Sequence, residues 1–206
     1  MGLSSFLDTG PASRLHARRH DANPSRKPYD NAGMATRLIE LVEKLRPARV
    51  LVVGDFMLDR YLFGSTERVS PEAPIPVLRF RREEHRLGGA GFVLAGLSTL
   101  GAVPVPVGVL GSDKAGEDVR RQIASLGAPL DGLVTCNERP TVEKIRLLGS
   151  SEDRTAQQML RLDIEQTSPV DAATERLLIE RAVAGMDSAE VVALEDYNKG
   201  VLTPAV

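Results

Sequence analysis

The sequence predicts an α/β fold: a parallel sheet with helices on its faces and a second, smaller sheet attached to it. Three observations carry this reading. Segments with helical spacing alternate with short all-apolar runs, the order of a parallel sheet covered by crossover helices. Two pairs of strands with period-two alternation interrupt that order, and such strands keep one face in water. The composition is 42% hydrophobic but only 4% aromatic, with no Trp, which fits a core of Val, Leu and Ala.

Each element has its own justification. "ATRLIELVEKLRPARV" puts Leu38, Leu41, Val42 and Leu45 at helix spacing, and Pro47 stops the helix. "RVLVVG" follows as a buried strand and runs into "GDFMLDRY". "RYLFGSTERV" and "IPVLRFRREE" form the first polar-faced pair: Leu78 and Phe80 alternate with Arg79 and Arg81, and Pro71, Pro74 and Pro76 break the segment before them. "HRLGGAGFVLAGLSTLGA" switches to helical period, with Val93, Leu97 and Leu100 on one face and Gly101 as the stop. "VPVPVGVLG" is a second buried strand. "DKAGEDVRRQIASLG" is an amphipathic helix presenting Val119, Ile123 and Leu126, and "LDGLVTC" reads as a strand. "TVEKIRLLG" and "QQMLRLDIE" make the second polar-faced pair. "DAATERLLIERAVAGMDSA" is a long helix carrying Ile179, Val183 and Met186, and "EVVAL" is a last apolar strand running into "EDYNKG".

The first 35 residues differ in kind. They are rich in Arg, Pro, Asn, Ser and His and lack apolar periodicity, so residues 1–35 are expected to be a disordered tail. The N-terminal Met-Gly does not make a myristoylation signal, because Phe6 stands where Ser or Thr is required. The net charge of −2 argues against a dedicated nucleic-acid binder. A single cysteine, Cys136, excludes an internal disulfide framework and fits a reducing, cytoplasmic setting. It has no base near it in sequence and reads as a small buried residue. No apolar stretch approaches a membrane span. The histidines His16, His20 and His85 form no metal pattern, and no metal ligands are assigned.

Two phosphate-binding loops fail on inspection. "GSDKAGED" has the glycine separation of a P-loop, but Glu117 and Asp118 occupy the Lys-Ser/Thr positions and would repel phosphate. Gly89 and Gly91 lack the third glycine of a dinucleotide fingerprint, since residue 94 is Leu. "LGGAGF" remains a glycine turn at a helix start. It is either a plain turn or a place where a ligand meets backbone. Asp55 and Asp59 follow a core strand, and ligands gather at such strand ends in open α/β sheets. Turn chemistry accounts for Asp55, whereas Asp59 suits the orientation of sugar hydroxyls. Lys144, Arg146 and Arg161 share the second polar-faced hairpin and together suit a phosphate, although each alone reads as a solvated strand residue. Asp196 and Lys199 lie just beyond the last strand, where a solvated loop lysine is the plain alternative.

These stretches together resemble the PfkB/ribokinase family of sugar kinases, and within it the heptose 7-phosphate kinases of the bacterial ADP-heptose (lipopolysaccharide precursor) pathway. The matching segments are "VVGDFMLDRYLFGSTERVSPEAPIPVL", "LGGAGFVLAGLSTLGA", "GVLGSDKAGE", "RPTVEKIRLL", "QQMLRLDIE" and "LEDYNKG", roughly residues 36 to 201. The resemblance implies a Rossmann-like ribokinase fold over residues 36–206, with a small β-sheet lid from strands near 61–83 and 141–164, and a homodimer made through that lid. It implies that Asp59 binds sugar hydroxyls, and that Gly88 and Gly89 approach the sugar by their backbone. Lys144, Arg146 and Arg161 are placed near the sugar's phosphate, and Asp196 and Lys199 near the transfer site. It also implies ATP and Mg²⁺ as the phosphoryl source, used on the anomeric hydroxyl of heptose 7-phosphate.

Two departures accompany the resemblance. The family carries an Asn near the position of Phe92, and Phe cannot hydrogen-bond a sugar. The family's Gly-Ala-Gly-Asp turn, which supplies the general base and an anion hole, occurs nowhere in these 206 residues and is expected beyond Val206. The resemblance therefore implies the acceptor-binding half of such a kinase, with its C-terminal part missing, little transfer activity of its own, and "EVVAL" at an open sheet edge. The alternatives are a non-catalytic sugar-phosphate-binding module and an inactive gene fragment.

Overall fold

The computed structural model describes residues 31–44, 47–150 and 155–206. The chain divides into two units, Met1–Leu45 and Arg46–Val206. In the first, α1 spans Asn31–Glu43, with Leu38, Leu41 and Val42 exposed. The tail expected over residues 1–35 lies outside the described residues up to residue 30, and α1 already begins at Asn31.

The described residues of the second unit form two four-stranded sheets with helices between their strands. Its elements are β1 (Arg49–Gly54), β2 (Phe56–Val69), β3 (Pro76–Gly89), α2 (Ala90–Thr99), β4 (Val103–Gly111) and α3 (Lys114–Ser125). After these come β5 (Leu133–Cys136), β6 (Val142–Ser150), β7 (Gln157–Ile164), α4 (Ala172–Met186) and β8 (Val191–Glu195). The core sheet has the order β5-β4-β1-β8 with every pair parallel. Central strand β1 explains its own sequence. Val50 and Val52 face one apolar cluster, with Leu94 of α2 and Val119 and Ile123 of α3. Leu51 and Val53 face the other, with Leu178 and Ala182 of α4. A strand covered on both faces needs an unbroken apolar run. Pro104 and Pro106 are tolerated in β4 because β1 is its partner there, and β5 joins only from Gly108.

Two helix faces differ from those the spacing predicts. On α2 the buried side chain is Leu94, and Leu100 is exposed at the C-cap. On α4 the packing face is Thr174, Leu178 and Ala182, and Val183 and Met186 face out. On α4 a small residue decides the face. A Cβ on Gly185 would stand 2.5 Å from Leu51 Cδ1, so α4 turns its smallest stripe, not its bulkiest, toward β1. Edge strand β8 leaves Val191, Val192 and Leu194 exposed, as expected of an open edge.

The second sheet, the lid, has the order β3-β2-β6-β7, with β2 and β6 parallel and both outer pairs antiparallel. Its first strand pair is longer than the expected 61–83: β2 starts at Phe56, one residue after the core strand ends, and β3 runs to Gly89 at the very start of α2, whereas β6 and β7 lie within 141–164. Cys136 is buried, as expected.

Candidate acceptor-binding site

The chain passes between core sheet and lid at Asp55, Gly89, Thr141 and Glu165, and each crossing is fastened. Asp55 is buried, and its carboxylate accepts from the backbone N–H groups of Tyr197 (2.8 Å), Lys199 (3.1 Å) and Val201 (3.4 Å). Its own carbonyl accepts from Ala90 N–H at 3.0 Å. Asp55 therefore does more than form the local turn predicted for it. It ties the exits of β1 and β8 together and tethers the start of α2. At the third crossing, Asp113 Oδ2 accepts from Thr141 N–H at 2.8 Å while Asp113 Oδ1 caps α3 through Gly116 N–H. Burial works against the charge of Asp113, but these amides outweigh it and hold its carboxyl below the usual carboxylate range. At the fourth, Arg139 Nη2 donates to the carbonyls of Gln166, Ser168 and Lys199. Sequence reading left Arg139 without a role, because its partners are backbone atoms far along the chain.

The lid carries an ordered charge pattern on one face. Side chains opposite one another across neighbouring strands share a face, and so do residues two apart along a strand. The register sets Arg86, Asp59, Lys144 and Asp163 in one row across β3, β2, β6 and β7. The next row is Glu84, Tyr61, Arg146 and Arg161. Five of the predicted residues thus come together: Asp59, Lys144, Arg146 and Arg161 on the rows, and Gly88 beside Asp59. A Cβ on Gly88 would lie 3.0 Å from Asp59 Cγ, so only a glycine leaves that carboxylate open from above. Gly89 has φ of 55°, and a Cβ there would meet Asp55 O at 2.4 Å. That crossing needs glycine both for its conformation and for its space.

The charges on this face are mutually paired. Arg146 Nη1 donates to Asp59 Oδ1 at 2.8 Å, and both side chains are about one-fifth exposed. Burial opposes the charge on Arg146, but the bond to Asp59 outweighs it and raises the guanidinium pKa. Lys144 Nζ lies 3.3 Å from Asp163 and 3.7 Å from Glu165. Arg161 makes two bonds to Asp163, at 2.8 and 3.0 Å. Burial disfavours the ionised Asp163, yet Arg161 and Lys144 hold its carboxyl below the usual range. Lys199 Nζ reaches Glu165 at 2.9 Å, so it is a partnered residue and not a solvated loop lysine. Lys199, Glu165 and Lys144 form one polar path from the exit of β8 to the lid face. Asp196 does not join it. Its carboxylate accepts from Asn198 N–H at 2.7 Å and shapes the exposed turn. Sequence reading missed Arg86, Tyr61, Asp163 and Glu165, which register alone brings into the pattern.

Among the described residues no three His, Cys, Asp or Glu side chains gather to hold a metal ion. No helix among them is long and apolar enough to cross a membrane. Phe92 stands exposed on the first turn of α2.

Known proteins resemble this chain in sequence and in fold. It is 44% identical over 164 residues to the bifunctional protein HldE of Citrifermentans bemidjiense, covering 80% of this chain and 33% of that protein. It is 47% identical over 162 residues to the D-beta-D-heptose 7-phosphate kinase of Bordetella bronchiseptica, covering 78% of this chain and 49% of that protein. The chain thus spans a third to a half of the length of these relatives. No family model matches it. Among solved structures, a carbohydrate kinase from Agrobacterium tumefaciens aligns with a TM-score of 0.53 at 21% identity, over 71% of this chain and 45% of that one. A microbiome-derived acarbose kinase, Mak1, aligns with a TM-score of 0.51 at 20% identity, over 72% of this chain and 46% of that one. The fold is the ribokinase-type sugar-kinase fold, and the resemblance to heptose 7-phosphate kinases holds over about four-fifths of the chain.

Proposed function

We propose, from this likeness and from the lid face, that the chain carries the acceptor-binding half of a heptose 7-phosphate kinase acting in ADP-heptose synthesis. The observation that carries the proposal is the Asp59–Arg146 pair, set among Lys144 and Arg161 beside the glycine crossing. Asp59 would accept two sugar hydroxyls, and Gly88 leaves the space for them. Lys144, Arg146 and Arg161 would take the sugar's own phosphate, for which guanidinium groups provide matched forks of donors. In the free protein the acid and the bases satisfy one another. A ligand bearing both hydroxyls and a phosphate replaces each partner at once, whereas a plain sugar strands Arg146 without its carboxylate. That is a physical basis for preferring a phosphorylated acceptor.

Lys199 would stand at the transfer end, since it joins the loop after β8 to Glu165 at the end of β7. Asp196, on the same turn, is the more exposed candidate for that end. ATP with Mg²⁺ is the phosphoryl source in this reading. The residues of the lid face serve the acceptor: they bind it, orient it and neutralise its phosphate. A homodimer through the lid belongs to the same proposal, and the exposed Phe80, Leu160 and Leu162 of the lid support it. A cytoplasmic location follows from the same pathway assignment.

Calorimetric titration with heptose 7-phosphate tests the proposal. The chain should bind it, and Asp59→Ala should lose on the order of 1–3 kcal/mol from hydrogen bonds to a charged group. Equal affinity in the two proteins would remove Asp59 from the site.

A further inference from the structure

We infer that Arg86 is a further phosphate-binding residue of this face and that Tyr61 is the positioning residue that aims it. The inference rests on the acceptor-binding reading above and extends it to two residues that sequence reading left without a role.

The geometry starts at Asp59, which lies between Arg86 on one neighbouring strand and Lys144 on the other. Arg86 does not bond to Asp59. Its guanidinium carbon lies 5.0 Å from the centroid of the Tyr61 ring, in the next row. Arg146, reaching from the opposite neighbour of β2, also lies 5.0 Å from that centroid. One half-buried ring therefore holds two guanidinium groups from two strands, by the attraction of a cation for an aromatic face. Residues two apart on a strand are about 7 Å apart. This is a separation suited to a phosphate carried on the side chain of a sugar whose ring hydroxyls sit on Asp59.

Charge and availability agree. The two rows hold four cations, Arg86, Lys144, Arg146 and Arg161, against three acids, Asp59, Glu84 and Asp163. Arg86 donates to Glu84 at 2.6 Å, two residues away on its own strand, and its side chain is 63% exposed. Such a surface pair exchanges its partner at small cost. Glu84 keeps a second partner in Arg82, so releasing Arg86 leaves no carboxylate stranded. Arg86 is thus the one guanidinium on the rows that is both aimed by Tyr61 and free to leave its acid without breaking a contact between strands. The ligand class is a phosphomonoester of a polyhydroxylated sugar.

The test is equilibrium binding of heptose 7-phosphate to the full chain and to Arg86→Ala, Arg86→Lys, Tyr61→Phe, Tyr61→Leu and Arg176→Ala. Arg176 lies on α4, which packs on the core sheet, and its replacement removes the same charge from elsewhere. Arg86→Ala should weaken binding about tenfold or more, the loss expected of charge-assisted hydrogen bonds. Arg86→Lys should recover part of it. Tyr61→Phe, which keeps the ring, should bind nearly as the parent does, and Tyr61→Leu should lose affinity. Arg176→Ala should not change it. If the parent binds and Arg86→Ala binds equally well, the inference fails while the acceptor reading stands. Equal losses in Arg86→Ala and Arg176→Ala would mean general charge attraction and would also overturn it. A parent chain without affinity for heptose 7-phosphate would overturn the inference and the reading together.

Discussion

Replacing Asp55 by Ala should destabilise the second unit more than any change on the lid face. The carboxylate is buried and accepts two good backbone N–H bonds, from Tyr197 at 2.8 Å and Lys199 at 3.1 Å, and a longer one from Val201 at 3.4 Å. Each hydrogen bond to a charged group contributes about 1.5–3 kcal/mol net, and a buried donor left without a partner costs about 1–3 kcal/mol. Removing a buried, hydrogen-bonded charge also relieves a desolvation cost, so these terms do not simply add. A loss of about 3–5 kcal/mol is expected, a large part of the roughly 5–15 kcal/mol that holds a domain. Asp55→Asn keeps an oxygen for Tyr197 and Lys199 but turns an N–H₂ toward the Val201 amide, and about half the loss is expected there. Urea unfolding followed by far-ultraviolet circular dichroism measures both. An Asp55→Ala protein within about 0.5 kcal/mol of the parent would refute the assignment, because that is the range of a surface substitution.

Three further outcomes follow from the same geometry. Gly89→Ala should cost roughly 2 kcal/mol or more in an unfolding titration, from the left-handed φ and the collision with Asp55 O, and an unchanged midpoint would contradict the crossing described here. Stability should fall as pH drops from about 4 toward 2. Asp118, buried but bonded by Arg121 and His85, and Asp113 both have depressed folded-state pKa values, so their contribution is present above the unfolded value near 3.9 and disappears as they protonate. An unfolding midpoint flat across that range would remove both from the account. Phe92→Asn puts an amide on the exposed first turn of α2, where the resemblance to sugar kinases implies one, and calorimetry should show tighter heptose 7-phosphate binding; unchanged binding would mean that this turn does not face the sugar.

The alternation of periods made both sheets legible, since burial on two faces and burial on one leave different patterns. The all-apolar "VLVVG" became the central strand, and "TVEKIRLLG" and "QQMLRLDIE" became paired lid strands. Lys144, Arg146 and Arg161 were legible as a group because they share one hairpin. Helix faces were less so: spacing marks the bulkiest stripe, but α4 packs by its smallest one, against Leu51. The role of Asp55 was hidden because its partners lie about 140 residues away and are backbone amides, which carry no residue signature. Arg86 and Tyr61 joined the site only through register, which a single sequence does not specify across strands that are far apart in the chain.

The most direct test of the acceptor-binding account is a crystal structure of this chain with heptose 7-phosphate bound. The account predicts sugar hydroxyls on Asp59, the phosphate among Lys144, Arg146 and Arg161, and the 2.8 Å Asp59–Arg146 bond broken in favour of the ligand. A sugar phosphate bound away from the lid face, with Asp59 and Arg146 still paired, would contradict it.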